Sequence, residues 1–242
     1  MGSNLCYKDV AYWNERFASE ENFEWLAKWE DFSHLVLPHL KLDDRILHIG
    51  CGNSNLSMIL YELGFHNITN VDFSSVLIEK FSLAYPHMKW ICDDMRGLKR
   101  LPTCSFDVII EKASIESLTV DEKSPWNYSE DAITNIDTVL SGIFRVLAQN
   151  GIYFSISFTQ PHFRVPLIMR NREWSCCVQE FGHFFQYFCY RMRKGEKPDW
   201  NNLQRYFKIT ANGVNDESIC KESIVEHEQG LEVFNGIFDD ND

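Results

Sequence analysis

The chain has 242 residues, of which 45% are hydrophobic and 24% are charged, as expected for one globular domain with a sizeable core. Its formal net charge is −12 and no basic stripe is visible, which disfavours a nucleic-acid partner. No apolar run approaches the roughly 18 residues that a membrane span needs, and the first residues lack the pattern of a secretory signal. We therefore predict a cytoplasmic protein without a membrane partner.

The eight cysteines include no C-x-x-C pair and no cysteine–histidine cluster at zinc spacing. Most of them fall inside apolar runs, where a reduced cysteine packs as a small hydrophobic side chain. The sequence therefore predicts free thiols and no metal site.

Amphipathic stretches and apolar runs alternate along the chain as far as Phe158. The helices predicted from helical spacing are residues 9–17, 29–40, 56–63, 75–84 and 133–147. The strands predicted from short apolar runs are residues 45–50, 67–72, 88–92, 105–112 and 152–158. Strands that alternate with helices at this spacing indicate βαβ units and a mostly parallel sheet.

The alternation of predicted helices and strands ends after Phe158. Residues 173–181 and 183–195 form two runs that meet at Gly182, too close for a crossover helix, so we predict an antiparallel hairpin. The predicted fold class is therefore α/β: a doubly wound, mostly parallel seven-stranded sheet that ends in an antiparallel hairpin. This combination is typical of the Rossmann-like sheet of class I methyltransferases rather than of the all-parallel dehydrogenase sheet.

The turn after the first strand carries the first candidate site. Gly50 and Gly52 permit a sharp turn and a close approach of the backbone to a ligand, and Asp72 follows 20 residues after Gly52, at the end of the second strand. In doubly wound folds an acid at that place holds ribose hydroxyls. Asn55 stands where a dinucleotide fingerprint needs its third glycine, so S-adenosyl-L-methionine is favoured over a nicotinamide cofactor.

The next two strands end in further candidates. Asp93 and Asp94 follow the third strand, and we expect Asp94 to accept from the adenine amino group with Met95 beside the ring. Glu111 and Lys112 end the fourth strand, at the position that lies over the transferable methyl group in this architecture.

Six segments carry a family resemblance, and they read AYWNERF, FEW, ILHIGCGNSNLS, VDFSSV, SFDVIIEKASIESL and PHFR. Together they resemble the elongation factor 1-alpha lysine methyltransferases, especially the single-domain type also found fused near endothelin-converting enzyme 2. The resemblance extends over about four fifths of the chain, from Tyr7 to Gly195. It implies an S-adenosyl-L-methionine-dependent protein-lysine N-methyltransferase that acts on elongation factor 1-alpha.

The resemblance also implies which residues hold the cofactor. Trp13, Phe17 and Trp25 would close over it as part of an N-terminal helical lid. The other implied contacts are Gly50, Gly52, Asp72, Phe73, Asp94, Met95 and Lys112, the last through its main chain. Five residues differ in type from those usual in the family, and they are Phe17 and Phe73 for tyrosine, Met95 for valine, Ala113 for glycine, and Ser114 for threonine.

A lysine nucleophile must lose its proton before methyl transfer, and its reference pKa is about 10.4. Desolvation in an aromatic pocket beside a cationic donor lowers that pKa, so no dedicated base is required. Glu111 and Glu116 are candidates for orienting the ammonium group, and no residue is assigned as the catalytic base.

Two regions are expected along the chain. Residues 1–200 form the methyltransferase domain, and residues 201–242 form an acidic segment, which we expect to be partly disordered. The last thirty residues hold nine acids and one base.

Two other functions remain open at this point: a small-molecule methyltransferase with the same cofactor, and a non-catalytic protein that keeps the fold to bind a partner. An acidic enzyme suits a basic protein substrate. We expect a monomer.

Overall fold

Seven strands form one sheet in the computed structural model, which describes residues 4–170 and 172–211, with side chains as far as Phe207. The strands are β1 (Ile46–Ile49), β2 (Ile68–Asp72), β3 (Lys89–Cys92), β4 (Phe106–Lys112), β5 (Leu147–Ser157), β6 (Trp174–Phe181) and β7 (Tyr187–Lys194). Their order across the sheet is β3-β2-β1-β4-β5-β7-β6. Strands β1 to β5 are mutually parallel, whereas β7 is antiparallel to both β5 and β6. The predicted parallel sheet and its terminal hairpin are therefore confirmed.

The helices of the described chain are α1 (Val10–Ser19), α2 (Trp29–Val36), α3 (Leu56–Glu62), α4 (Ser75–Ala84), α5 (Glu130–Val146), α6 (Pro161–Ile168) and α7 (Trp200–Ala211). The side chains of Asp9, Ser74 and Ser129 cap the starts of α1, α4 and α5, because each accepts from a backbone amide of the first turn. The predicted helices are confirmed, with ends shifted by up to four residues. Helices α6 and α7 were not predicted from the sequence.

The hydrophobic core lies on both faces of the sheet, because alternate residues of a strand point to opposite sides. In β4, Ile109 packs into the cluster that includes α5, while Val108 and Ile110 pack into the cluster that includes α2 and α3. Strand β5 repeats the pattern with Tyr153 on the α5 side and Phe154 on the other. Burial on both faces explains why these strands read as continuous apolar runs.

Helix α7 spans the expected boundary between residues 200 and 201. Its Leu203 is only 2% exposed and packs into the α5-side cluster, with Tyr206 and Phe207 against the same cluster. The first turns of the expected acidic segment therefore pack against the domain. Residues 212–242, which hold most of that segment, lie outside the described residues.

The strand order reverses at β1, which lies between β2 and β4. The carboxyl ends of these strands meet at one edge of the sheet, where a doubly wound fold binds its ligand. Within residues 4–170 and 172–211, no helix combines the length and the apolar composition needed to cross a bilayer. The cysteines of those residues are free thiols.

Candidate active site

A cavity of about 190 Å³ opens at the carboxyl edge of the sheet, between the N-terminal segment and the loops that follow β1 to β4. Every residue predicted to hold the cofactor lines this cavity. They are Trp13, Phe17, Trp25, Gly50, Gly52, Asp72, Phe73, Asp94, Met95 and Lys112. Residues separated by up to about a hundred positions in the chain therefore face one space.

The loop after β1 has no room for a side chain at its first glycine. Gly50 has a φ of +57°, and a Cβ added there would lie 2.2 Å from Ser114 Oγ. Ser114 Oγ instead donates to the Gly50 carbonyl oxygen at 3.1 Å, which joins the loop after β1 to the loop after β4. Gly52 has a φ of +48°, and Phe17 packs against it, with its Cζ 3.8 Å from the place of an added Cβ. Both glycines have positive φ, and the predicted approach of their backbone to a ligand stays a prediction.

Asp72 ends β2 with its carboxylate held by the backbone. Its Oδ2 accepts from the Gly52 amide at 3.0 Å and its Oδ1 from the Ser74 amide at 2.9 Å. The residue is only 6% exposed, and burial raises the pKa of this carboxyl to about 6, although the two amides work in the opposite direction. Each oxygen accepts one of these bonds and has a further lone pair for a ligand hydroxyl.

Asp94 lies at the other end of the cavity and is paired with Arg96. The guanidinium lies 2.6 Å from Asp94 Oδ2, and the Arg96 amide donates to Oδ1 at 2.8 Å. Burial opposes ionisation, but the contacts with Arg96 outweigh it and lower the pKa of Asp94. The neighbouring Asp93 is occupied by the backbone amides of Asp94 and Arg100. Arg96 also lines the cavity, so it shares the candidate adenine end with Asp94.

Aromatic rings of the N-terminal segment close the cavity on one side. Trp13 stacks on Phe17 with 5.4 Å between ring centroids, and Trp25 meets Trp13 edge-on at 5.6 Å. Trp13 Nε1 donates to the Tyr7 carbonyl at 2.9 Å, which fixes the indole relative to the preceding turn. Tyr7 itself is buried and lines the cavity, a role that the sequence reading did not assign.

Lys112 points its side chain towards this aromatic segment. Its Nζ lies 2.9 Å from Glu24 Oε2 and 2.6 Å from the Trp25 carbonyl oxygen, and the side chain is 3% exposed. Burial lowers the pKa of Lys112, while the Glu24 carboxylate raises it; burial is the larger effect. The expectation for Lys112 concerned its main chain alone, and this contact of its side chain was not foreseen.

Glu111 and Glu116 occupy a different place from the one expected. Both are buried outside the cavity lining, on either side of Arg164, whose Nη2 lies 3.5 Å from one oxygen of each carboxylate. Glu111 Oε1 accepts from the Ser114 and Ile115 amides at 2.6 and 3.0 Å. These carboxylates therefore support the loop after β4 from behind, which is where a strand-end acid of a buried strand finds its partners.

The cavity lining includes seven residues to which the sequence analysis gave no role there, and they are Tyr7, Lys8, Val71, Arg96, Ser117, Leu118 and Asn135. Most of them follow a predicted strand end or precede a predicted helix, but no motif distinguishes them from ordinary loop residues. Within the described residues, no group of three or more histidine, cysteine, aspartate or glutamate side chains is arranged to hold a metal ion.

The sequence of the chain was compared with those of known proteins. Residues 47–155 match the model of a family described as a methyltransferase domain. The chain is 36% identical over 199 residues to EEF1A lysine methyltransferase 4 of Mus musculus, a match that covers 79% of this chain and 78% of the mouse protein. The protein of the same name from Bos taurus is 35% identical over 201 residues, covering 80% of this chain and 78% of its own length. The chain belongs to the EEF1A lysine methyltransferase 4 family.

Solved structures agree on the fold of this family member. An N-methyltransferase, NodS from Bradyrhizobium japonicum in complex with S-adenosyl-L-homocysteine, aligns with a TM-score of 0.53 at 15% identity and covers 77% of this chain and 98% of its own. The [4+2]-cyclase SpnF aligns with a TM-score of 0.52 at 14% identity, covering 79% and 94%. At such identities the likeness concerns the fold alone, and the two names show that the fold supports different reactions.

Family membership and the methyltransferase domain together make this protein a class I, S-adenosyl-L-methionine-dependent methyltransferase. The predicted enzyme class, cofactor and fold family are confirmed.

Proposed function

We propose that the protein transfers methyl groups to a lysine side chain of elongation factor 1-alpha. The observation that carries the proposal is the match over four fifths of the chain with two proteins that bear this activity in their names. The cavity supports it, since it adjoins the loop after β4, over which we expect the reacting methyl group.

The cavity fits the cofactor, because a buried carboxylate and two open glycine positions lie side by side in it. We assign Asp72 to the ribose hydroxyls, and Asp94, Met95 and Phe73 to the adenine ring. The remaining predicted contacts are assigned to the methionine end, and they are Gly50, Gly52, Trp13, Phe17, Trp25 and the main chain of Lys112. When bound, S-adenosyl-L-methionine supplies an electrophilic methyl group.

The chain's own contribution is to align the acceptor and to exclude water. The aromatic wall of Trp13, Phe17 and Trp25 desolvates an entering amine, which lowers its pKa and favours the neutral nucleophile. Glu111 and Glu116 face away from the cavity, so in this proposal they hold the loop after β4 and take no proton. The proton of the acceptor ammonium leaves to solvent.

The test uses S-adenosyl-L-methionine labelled in its methyl group, the purified protein and purified elongation factor 1-alpha, with Asp72→Ala as the control enzyme. We expect label on the factor with the wild-type enzyme only, and mass spectrometry of tryptic peptides to locate it on lysine. Cofactor binding without label on the factor would overturn the substrate assignment and favour a small-molecule acceptor. Absence of cofactor binding would favour the non-catalytic alternative.

We further propose that the enzyme is a cytoplasmic monomer. The free thiols support a reducing compartment. Light scattering of the purified protein should give a mass near 28.4 kDa, and twice that mass would contradict the monomer.

A further inference from the structure

Glu24 connects three parts of the molecule through a single carboxylate. Its Oε2 lies 2.9 Å from Lys112 Nζ at the end of β4, and its Oε1 accepts from the Asn55 amide at 2.6 Å, where α3 begins. Ser54 Oγ lies within 3.0 Å of both oxygens. Glu24 itself belongs to the irregular stretch between α1 and α2, and it directly precedes Trp25 of the aromatic wall.

Lys112 completes the connection from the other side. Besides Glu24, its ammonium group donates to the carbonyl oxygen of Trp25 at 2.6 Å. The lysine side chain is 3% exposed and that of Glu24 is 20% exposed, so solvent screens this ion pair far less than a surface pair. Removal of either partner leaves a poorly solvated charge, which is strongly unfavourable.

The backbone beside Trp25 is strained. Leu26 has a φ of +72°, a conformation that is unfavourable for a residue with a branched side chain. Such a conformation persists only when the surrounding contacts determine it. The bonds from Lys112 to the Trp25 carbonyl and to Glu24 are contacts of that kind, and they lie immediately before the strained residue.

We infer that Glu24 is a positioning residue for the cofactor: acting through Lys112 and the start of α3, it holds Trp25 against the cavity. The carboxylate does not line the cavity, whereas Trp25 and Lys112 do. Its effect on the cofactor is therefore indirect, through the place of the indole ring. Because the same carboxylate accepts from the Asn55 amide, the position of the N-terminal segment also depends on the loop after β1.

The test measures binding of S-adenosyl-L-homocysteine to the full chain by calorimetry, with tryptophan fluorescence as a second readout. Glu24→Ala should weaken binding by about tenfold or more and shift the emission of the ligand-free protein to longer wavelength, because Trp25 becomes more exposed. Glu24→Gln retains an oxygen for the Asn55 amide but cannot neutralise Lys112, so we expect a loss between wild type and Glu24→Ala. In steady state, KM for the cofactor should rise more than kcat falls.

Lys112→Met provides the partner variant. If Glu24 acts largely through Lys112, the loss of affinity in the double variant Glu24→Ala, Lys112→Met is clearly smaller than the sum of the two single losses. Additive losses would show that Glu24 acts independently of Lys112 and would overturn the inference.

Asp107→Asn is the matched control. It breaks the ion pair of Arg45 and Asp107, with 2.8 Å between Arg45 Nε and Asp107 Oδ2, which lies at the amino ends of β1 and β4, away from the cavity. This variant should melt at a lower temperature yet bind S-adenosyl-L-homocysteine as the wild type does. Equal affinity losses in the control and in Glu24→Gln would reduce Glu24 to a general stabilising role.

Wild-type affinity and wild-type emission in both Glu24 variants would also contradict the inference. Calorimetry and fluorescence use the product of the cofactor and no methyl acceptor, so these two readouts do not depend on whether elongation factor 1-alpha is the substrate; only the steady-state comparison does.

Discussion

Asp72 is buried where an ionised carboxylate is unfavourable, and this raises its pKa to about 6. The Gly52 and Ser74 amides fix this carboxylate before any ligand binds. Binding therefore requires little reorganisation of the Asp72 side chain. Stability and ligand binding should therefore respond in opposite directions when this side chain titrates.

The first prediction concerns that titration. The folded pKa lies above the unfolded value of 3.8, so the stabilising contribution of the protonated Asp72 is full below pH 3.8 and is lost as pH rises through about 6. Relative to Asp72→Asn, the wild-type protein should lose about 3 kcal/mol between pH 4 and pH 7, because each pKa unit corresponds to about 1.4 kcal/mol.

Urea unfolding of both ligand-free proteins across pH 4 to 8 measures this difference. Affinity for S-adenosyl-L-homocysteine should rise over the same pH range in the wild type and stay low in Asp72→Asn. Parallel stability curves for the two proteins would contradict the assigned pKa.

At the scale of elements, the strands were predictable because a parallel sheet buried on both faces requires continuous apolar runs, as β4 has. Helix α4 was predicted to the residue, since Ser74 caps its start and its apolar positions follow a helical period. Helix α6 was not predicted, because prolines at positions 161 and 166 argue against a helix in a sequence reading. In the structure Pro161 occupies the first turn, where its missing amide is harmless.

Some residues of the candidate site could likewise be predicted from the sequence, and others could not. Gly50, Gly52 and Asp72 could be placed from the turn after a strand, and the structure brings them to one cavity. Glu24 could not be predicted, because its partner Lys112 lies 88 positions away in the chain. Tyr7 packs against the nearby Trp13, but no local pattern distinguishes it from other aromatic residues of the N-terminal segment. Glu111 was misplaced, because a strand end fixes the position of a residue but not the direction of its side chain.

The buried pair of carboxylates around Arg164 joins four elements: β4, the loop after it, β5 and α6. Arg164 Nη2 donates to Ser155 Oγ at 2.9 Å, and the Arg164 side chain is 5% exposed. Burial raises the pKa of Glu111, and the negative charge of Glu116 adds to this, whereas Arg164 lowers it. The positive charge of the guanidinium therefore offsets the repulsion between the two neighbouring buried carboxylates.

Arg164→Met should accordingly cost about 3–5 kcal/mol, because it leaves buried carboxylates without their cation. Arg170→Met, which removes the half-exposed partner of Asp137, should cost less than about 1 kcal/mol. Chemical unfolding of both variants gives the comparison. A loss in Arg164→Met no larger than that in Arg170→Met would show that the network contributes little.

For the molecule as a whole, α7 extends the packed part of the described chain beyond residue 200. Leu203 is buried in the α5-side cluster together with Trp174 and Cys176 of β6. A reading based on composition places the boundary at residue 200, because the chain after α7 is strongly acidic.

Leu203→Ala should therefore destabilise the protein by about 2–5 kcal/mol, as for other buried leucines. Leu83→Ala, at a position that is 84% exposed on α4, should change stability by less than about 0.5 kcal/mol. Thermal and urea unfolding of the two variants test this. Equal losses of stability in the two variants would support a domain boundary at residue 200.

The strand order β5-β7-β6 has a consequence for synthesis of the chain. Strand β6 leaves the ribosome before β7, yet β7 is its neighbour in the sheet and separates it from β5. A nascent chain that ends at Phe181 thus carries the five parallel strands with the outer edge of β5 unpaired, and an unpaired apolar edge is a site for aggregation. That edge of β5 therefore stays unpaired until residues 187–194 have been made.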